Sequence, residues 1–132
     1  MSSITIDYAS LEGTGASVGR AAVHTLIADR PEGRARGTGL GFNGAELLAL
    51  SIGGCFCNDI HYTADELGLC VSRLKVRVTV ELGGDPLLVN SALVSVECEL
   101  AGGGTTAELL RRARARCTIA NSLRNGVDVS FD

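Results

Sequence analysis

Residues 73–82, RLKVRVTVEL, alternate without a break: Leu74, Val76, Val78, Val80 and Leu82 take one side, and Arg73, Lys75, Arg77, Thr79 and Glu81 the other. A period of two is that of a strand with one buried face. Residues 89–100 repeat the pattern, with Ala92, Val94, Val96, Cys98 and Leu100 on one face. The turn-forming GGDP between them predicts a hairpin. Nearer the N-terminus, residues 4–9 and 20–28 are also β-like and are linked by the glycine-bearing stretch EGTGASVG, which predicts another hairpin. The closing VDVSF reads as a short strand.

Two stretches have helical character instead. AELLALSIGGCFC is apolar nearly all round, NDIHYTADELG is amphipathic, and Gly68 stops the pattern. Asn43 is placed to cap it, so one helix of about 24 residues is expected, roughly 36 Å long. A helix so long and so apolar at one end is hard for one copy of a chain this size to cover, which predicts a dimer. TTAELLRRARARCTIANSLRNG opens with a capping-box pair, Thr105 and Glu108. It carries Leu109, Ala113, Cys117 and Ala120 along one stripe and ends at Asn125-Gly126, predicting a second amphipathic helix. Between the N-terminal hairpin and the first helix, residues 29–44 hold five glycines, one proline and three arginines without periodicity. A long loop is expected there, and long loops in compact domains are often functional. The predicted order is ββ-α-ββ-α-β, an α+β domain with antiparallel sheet packed on a long central helix.

With 132 residues the chain is read as one domain, 1–132. A formal net charge of −3 speaks against nucleic acid or an anionic membrane as partner. The five arginines between residues 111 and 124 read as a solvated helix face. The N-terminal MSSITIDYASLEG lacks the basic and apolar regions of a secretory signal, and no run is long enough to span a membrane, so a cytoplasmic protein is expected.

Five cysteines, an odd count without small-domain disulfide spacing, suit a reducing compartment, where a pair that cross-links is more often catalytic than structural. Cys98 on an apolar strand face and Cys70 at a helix-to-strand junction read as buried structural thiols. Cys55 and Cys57 are turned about 200° apart on a helix and cannot bond each other without unwinding it. Cys57 and His61 share a face, but two ligands fall short of the three or four that a metal site uses, so no metal is expected. His24 or His61 as base to a cysteine nucleophile is a further possibility, although His61, six residues beyond Cys55, lies about 240° round the helix. Cys55 follows Gly53-Gly54 in the apolar turns and Cys117 lies on the inward stripe of the second helix. The two can meet in space, or each can be core packing.

FNGAELLALSIGGCFCNDI resembles the central-helix signature of the OsmC/Ohr family, and RARARCTIANSLRNGVDVSF resembles its second signature, a cysteine followed by a turn and a closing strand. The order of elements is similar over the whole chain. The resemblance implies an interwound homodimer that reduces organic hydroperoxides, with Cys55 as peroxidatic thiolate and Cys117 as resolving thiol. The implied reductant is an external dithiol such as dihydrolipoamide, with no bound cofactor. A catalytically degenerate relative, sensing redox state or binding a small apolar ligand, is the alternative. An ordinary thiol is only a few per cent thiolate at neutral pH, so such chemistry needs a nearby cation. The family takes it from an arginine in the N-terminal half, braced by a glutamate at the start of the central helix, which points to Arg30 or Arg36 and to Glu46. Ala45 stands where that glutamate is expected, ten before Cys55, while Glu46, nine before, would be turned about 180° from the cysteine in a regular helix. Glu46 is then equally a first-turn charge favoured by the helix dipole. Asp59, four after Cys55, resembles a G-C-x-x-x-D variant found in one branch of the family.

Overall fold

Strand β1 (Asp7–Ser10) pairs antiparallel with β2 (Ser17–Ala21), and β2 pairs in turn with β3 (His24–Ala28). The computed structural model describes all residues, Met1–Asp132, in two compact units, Met1–Leu47 and Leu48–Asp132. In the first unit the expected strand at 20–28 is thus two strands. Ala22 makes the reversal with a left-handed φ of 53°, a conformation usually left to glycine, and so the turn carries no sequence signal.

The loop from Asp29 to Asn43 is ordered around one carboxylate. Asp29 is buried and accepts hydrogen bonds from the Thr38 hydroxyl (2.6 Å) and from the amides of Arg30 (2.7 Å), Leu40 (3.0 Å) and Thr38 (3.1 Å). The Thr38 hydroxyl and the Leu40 amide do most to hold its carboxyl well below the usual carboxylate range.

Helix α1 (Gly44–Glu66) matches the expected central helix. Asn43 Oδ1 accepts from the Glu46 amide (2.9 Å) and Glu46 Oε1 accepts from the Asn43 amide (3.1 Å), a reciprocal capping box. At the other end Gly68 takes φ 67°, its amide donates to Asp65 (3.1 Å), and the Leu69 amide donates to Ala64 (2.8 Å), closing the helix in a Schellman motif.

In the second unit β4 (Val71–Gly83) and β5 (Leu88–Leu100) form the expected hairpin. A register shift between Glu81 and Leu82 ends the alternation, and Leu82 and Ala92, both expected inward, are exposed. The core joins Phe56, Ile60 and Ala64 of α1 to Leu100 and to Leu109, Leu110, Ala113 and Cys117, with Leu74, Val76, Val94 and Val96 packed against it. Gly53 lets α1 approach the sheet closely: a Cβ there would stand 3.1 Å from Val78 Cγ2.

The expected second helix is two helices, α2 (Ala107–Arg116) and α3 (Thr118–Asn125), broken at Cys117, whose φ and ψ of −60° and 106° are extended. Thr118 and Ile119 are β-branched and propagate a helix poorly. The Asn121 side-chain amide donates to the Ala115 carbonyl (3.0 Å), so an α2 carbonyl freed by the break keeps a partner. The Thr105–Glu108 capping box does not form. Thr106 is the N-cap, and Glu108 instead accepts from Arg111 (2.8 and 2.9 Å) and Arg112 (2.7 Å), which pull its carboxyl down to about 2. The closing strand is absent as well: residues 127–132 pair with nothing, and Val127, Val129 and Phe131 are 60%, 70% and 93% exposed. A strand needs a neighbour to satisfy its backbone groups, and the chain offers none there. The observed order is βββ-α-ββ-αα, still α+β with antiparallel sheets.

Candidate active site

The break at Cys117 makes the site. By leaving helical geometry there, the chain turns the buried Cys117 toward α1 and starts α3 with free backbone amides, of which that of Ile119 favours the Cys55 thiolate. Cys55 Sγ also lies 3.5 Å from Asp59 Oδ2, to which the thiol donates from one turn away on the same helix face. The two sulfurs and the Asp59 carboxylate all lie within 4.8 Å of one another. All five cysteines are free thiols.

Arg116, next in sequence to Cys117, ties this cluster to α1. Its Nε is 3.8 Å from Asp59 Oδ1, its Nη1 donates to Glu66 Oε1 at 2.8 Å and to Thr63 Oγ1 at 3.5 Å, and its guanidinium lies 6.0 Å from the centre of the Tyr62 ring. The side chains of Arg116 and Glu66 are 39% and 58% exposed, so solvent screens their pairing and it adds little to stability. Its use is geometric: Arg116 holds one oxygen of Asp59 and leaves the other to Cys55.

These surroundings push the Cys55 thiol up from its ordinary value. Burial is the main cause, the Cys117 sulfur and the negative charge of Asp59 add to it, and the Ile119 amide opposes it. Within the second unit Cys55 is therefore a thiol hydrogen-bonded to a carboxylate, rather than a standing thiolate.

The other expected site residues are placed as follows. Arg30 donates to the Gly15 carbonyl and lies 3.6 Å from Asp29 Oδ1. Arg36 stands in the same loop with a left-handed φ of 64°. Glu46 is the N3 member of the α1 capping box. Cys57 is half-buried, with its thiol pushed up by burial, and His61 is exposed. The three-donor cluster forms from Cys55, Asp59 and Cys117, not around Cys57 and His61. Arg116 was not foreseen, because its spacing groups it with the solvated arginines of α2, and only its place directly before Cys117 distinguishes it in the sequence.

The sequence model of the family described as OsmC-like protein matches residues 37–132, and the chain belongs to that family. No curated protein matches it in sequence. Among solved structures it is similar to an OsmC-like protein of unknown function from Vibrio cholerae (14% identity, TM-score 0.78, covering 92% of this chain and 94% of that one). It is similar also to an organic hydroperoxide resistance protein OsmC from Legionella pneumophila (19%, 0.65, 97% and 93%). A third is an organic hydroperoxide resistance protein from Elizabethkingia anophelis (17%, 0.64, 97% and 92%). At these identities the likeness is one of fold.

Proposed function

We propose that the chain is a thiol-dependent peroxidase that reduces organic hydroperoxides, with Cys55 attacking and Cys117 resolving. The observation that carries this is the meeting of the two sulfurs beside Asp59, within 4.8 Å. The names of the Legionella and Elizabethkingia proteins point the same way.

Asp59 accepts the Cys55 proton as the sulfur attacks the distal peroxide oxygen. The O–O bond breaks, the proton passes to the departing alkoxide, and an alcohol and a Cys55 sulfenic acid result. Cys117 then attacks the sulfenyl sulfur, giving water and a Cys55–Cys117 disulfide. An external dithiol such as dihydrolipoamide restores both thiols. An apolar cleft of about 360 Å³, lined by Ile52, Val94, Ala120 and Leu123 with Arg124 beside them, suits an alkyl hydroperoxide. Ile52 and Ala120 are each one helical turn from a cysteine of the pair. Arg30 and Arg36 remain the arginines that the family resemblance implies for thiolate pairing, with Glu46 as brace, and Arg116 is the cation that the second unit itself supplies. A homodimer in a reducing, cytoplasmic setting completes the proposal; the exposed Leu50, Leu123, Val127, Val129 and Phe131 support the association.

The raised Cys55 thiol favours a second reading, a slow redox sensor on the same cysteines. Turnover of cumene hydroperoxide with dihydrolipoamide separates the two. Multiple turnovers that vanish in Cys55→Ser, with the Cys55–Cys117 disulfide found by peptide mapping, are expected. A single oxidation without turnover would favour the sensor, and a Cys55–Cys57 bond or five unreacted thiols would remove both.

A further inference from the structure

Cys55, Asp59 and Cys117 present one sulfur, one carboxylate oxygen and a second sulfur, all mutually within 4.8 Å, with the Cys55–Asp59 pair at 3.5 Å. Donors bonded to one tetrahedral zinc ion at about 2.0–2.3 Å stand between about 3 and 4 Å from each other, so rotamer-scale adjustment closes the set. We propose that these three residues form a zinc site. The choice of metal follows from the donors: two thiolates exclude magnesium and calcium, while two sulfurs and one carboxylate oxygen suit zinc.

The backbone is arranged for it. Cys55 and Asp59 are one turn apart on α1, a spacing that puts two ligands on one helix face, and the third comes from the extended break between α2 and α3. The carboxylate is oriented from behind: Arg116 approaches Asp59 Oδ1 at 3.8 Å, which leaves Oδ2 directed to the sulfur side. Two thiolates and one carboxylate carry one more negative charge than a divalent ion cancels, and Arg116 offsets it. Asp59 and Cys117 are buried and Cys55 partly so, which protects the ligands from exchange. Three protein donors leave a fourth position to water or a small anion, the pattern of an open rather than a closed site.

Binding replaces two S–H bonds by two S–Zn bonds and releases two protons. The same sulfurs would form the disulfide, so metal and cross-link exclude each other. Zinc therefore holds the pair reduced and shields it; when a hydroperoxide takes two electrons from the two thiolates and two protons from solvent, giving the disulfide, an alcohol and water, the ion is released.

The test uses the full chain, reduced and free of oxygen, titrated with Co²⁺ as spectroscopic probe and then with Zn²⁺ in competition. One Co²⁺ per chain is expected, with thiolate-to-cobalt charge transfer, the intense visible bands of a tetrahedral site, and displacement by one Zn²⁺. At one equivalent of metal these bands should vanish in Cys55→Ser and in Cys117→Ser and persist in Cys57→Ser. Asp59→Asn should keep the sulfur bands but weaken zinc binding at least about tenfold, the lower end of what even an outer-shell change costs. Because Cys117 is buried, Asp59→Asn also keeps the test decisive should Cys117→Ser not fold. Absence of the bands, their survival in either Cys55→Ser or Cys117→Ser, or unchanged affinity in Asp59→Asn overturns the site. Peroxide turnover of the zinc-free chain, measured alongside, bears on the peroxidase alone.

Discussion

In the proposed mechanism Asp59 accepts the Cys55 proton, while its negative charge opposes the ionisation of that thiol. The two effects predict opposite responses in one variant. Asp59→Asn removes the Coulombic push, so alkylation of Cys55 should shift to lower pH, while burial keeps the thiol above its ordinary value. Peroxide turnover should nonetheless fall by about a hundredfold, the lower end of what a positioned base contributes. Alkylation and turnover rising together would show that Asp59 has no relay function. The same raised thiol links to stability. Between the ordinary thiol pKa of about 8.5 and the higher folded value, the folded chain keeps a proton that the unfolded chain has released. Stability is thus fully present below about pH 8.5 and is lost as pH rises through the folded value. Denaturant unfolding across that range should show a smaller loss in Asp59→Asn. Cys55 and Cys117 stood out in the sequence through family-like motifs, whereas Asp59 was marked only by its spacing from Cys55 and carried no assigned role. Arg116 was hidden by its periodicity, which is the same whether an α2 arginine faces water or reaches back to a neighbouring helix.

At the scale of elements, those with local signals were legible and those fixed by neighbours were not. Helix α1 runs from its capping residue Asn43 nearly to the Gly68 stop because both signals act within one turn of the chain. The β4–β5 hairpin follows from period-two alternation, until the shift at Glu81–Leu82. The Ala22 turn, by contrast, uses a residue with no turn preference, and the bend at Cys117 interrupts an unbroken apolar stripe. The α1 capping box also bears on Glu46. Asn43→Ala should cost about 1 kcal/mol by thermal or denaturant unfolding, the typical worth of a cap. Glu46→Gln should change stability little, since glutamine serves at N3 as glutamate does. If Glu46→Gln nevertheless depresses turnover, the charge of Glu46 acts on the chemistry and not only on the helix. Ala45→Glu should then add nothing. Recovery of activity in Ala45→Glu with no effect of Glu46→Gln would mean instead that the brace belongs one residue earlier.

At the scale of the molecule, the C-terminal segment has a strand's alternation but no partner. Val127, Val129 and Phe131 are apolar at period two, and all three stand open to solvent beside no paired backbone. Leu50 on α1 and Leu88, Val89 and Leu93 on β5 are exposed as well. So many large apolar side chains on one small chain favour association. The sequence made VDVSF look like a strand because alternation records which side chains want burial; it does not record which chain supplies the neighbour. A homodimer predicts light scattering at twice the 13.7 kDa chain mass at micromolar concentration. If the C-terminal segment takes part, Val129→Asp combined with Phe131→Ser should shift the equilibrium toward monomer while leaving the core of Phe56, Ile60 and Leu109 intact, so that far-ultraviolet circular dichroism is unchanged. A wild-type mass of 13.7 kDa would overturn the dimer. A stable dimer in the double variant would place the interface elsewhere on the chain, where Leu50, Leu88 and Leu93 are also exposed.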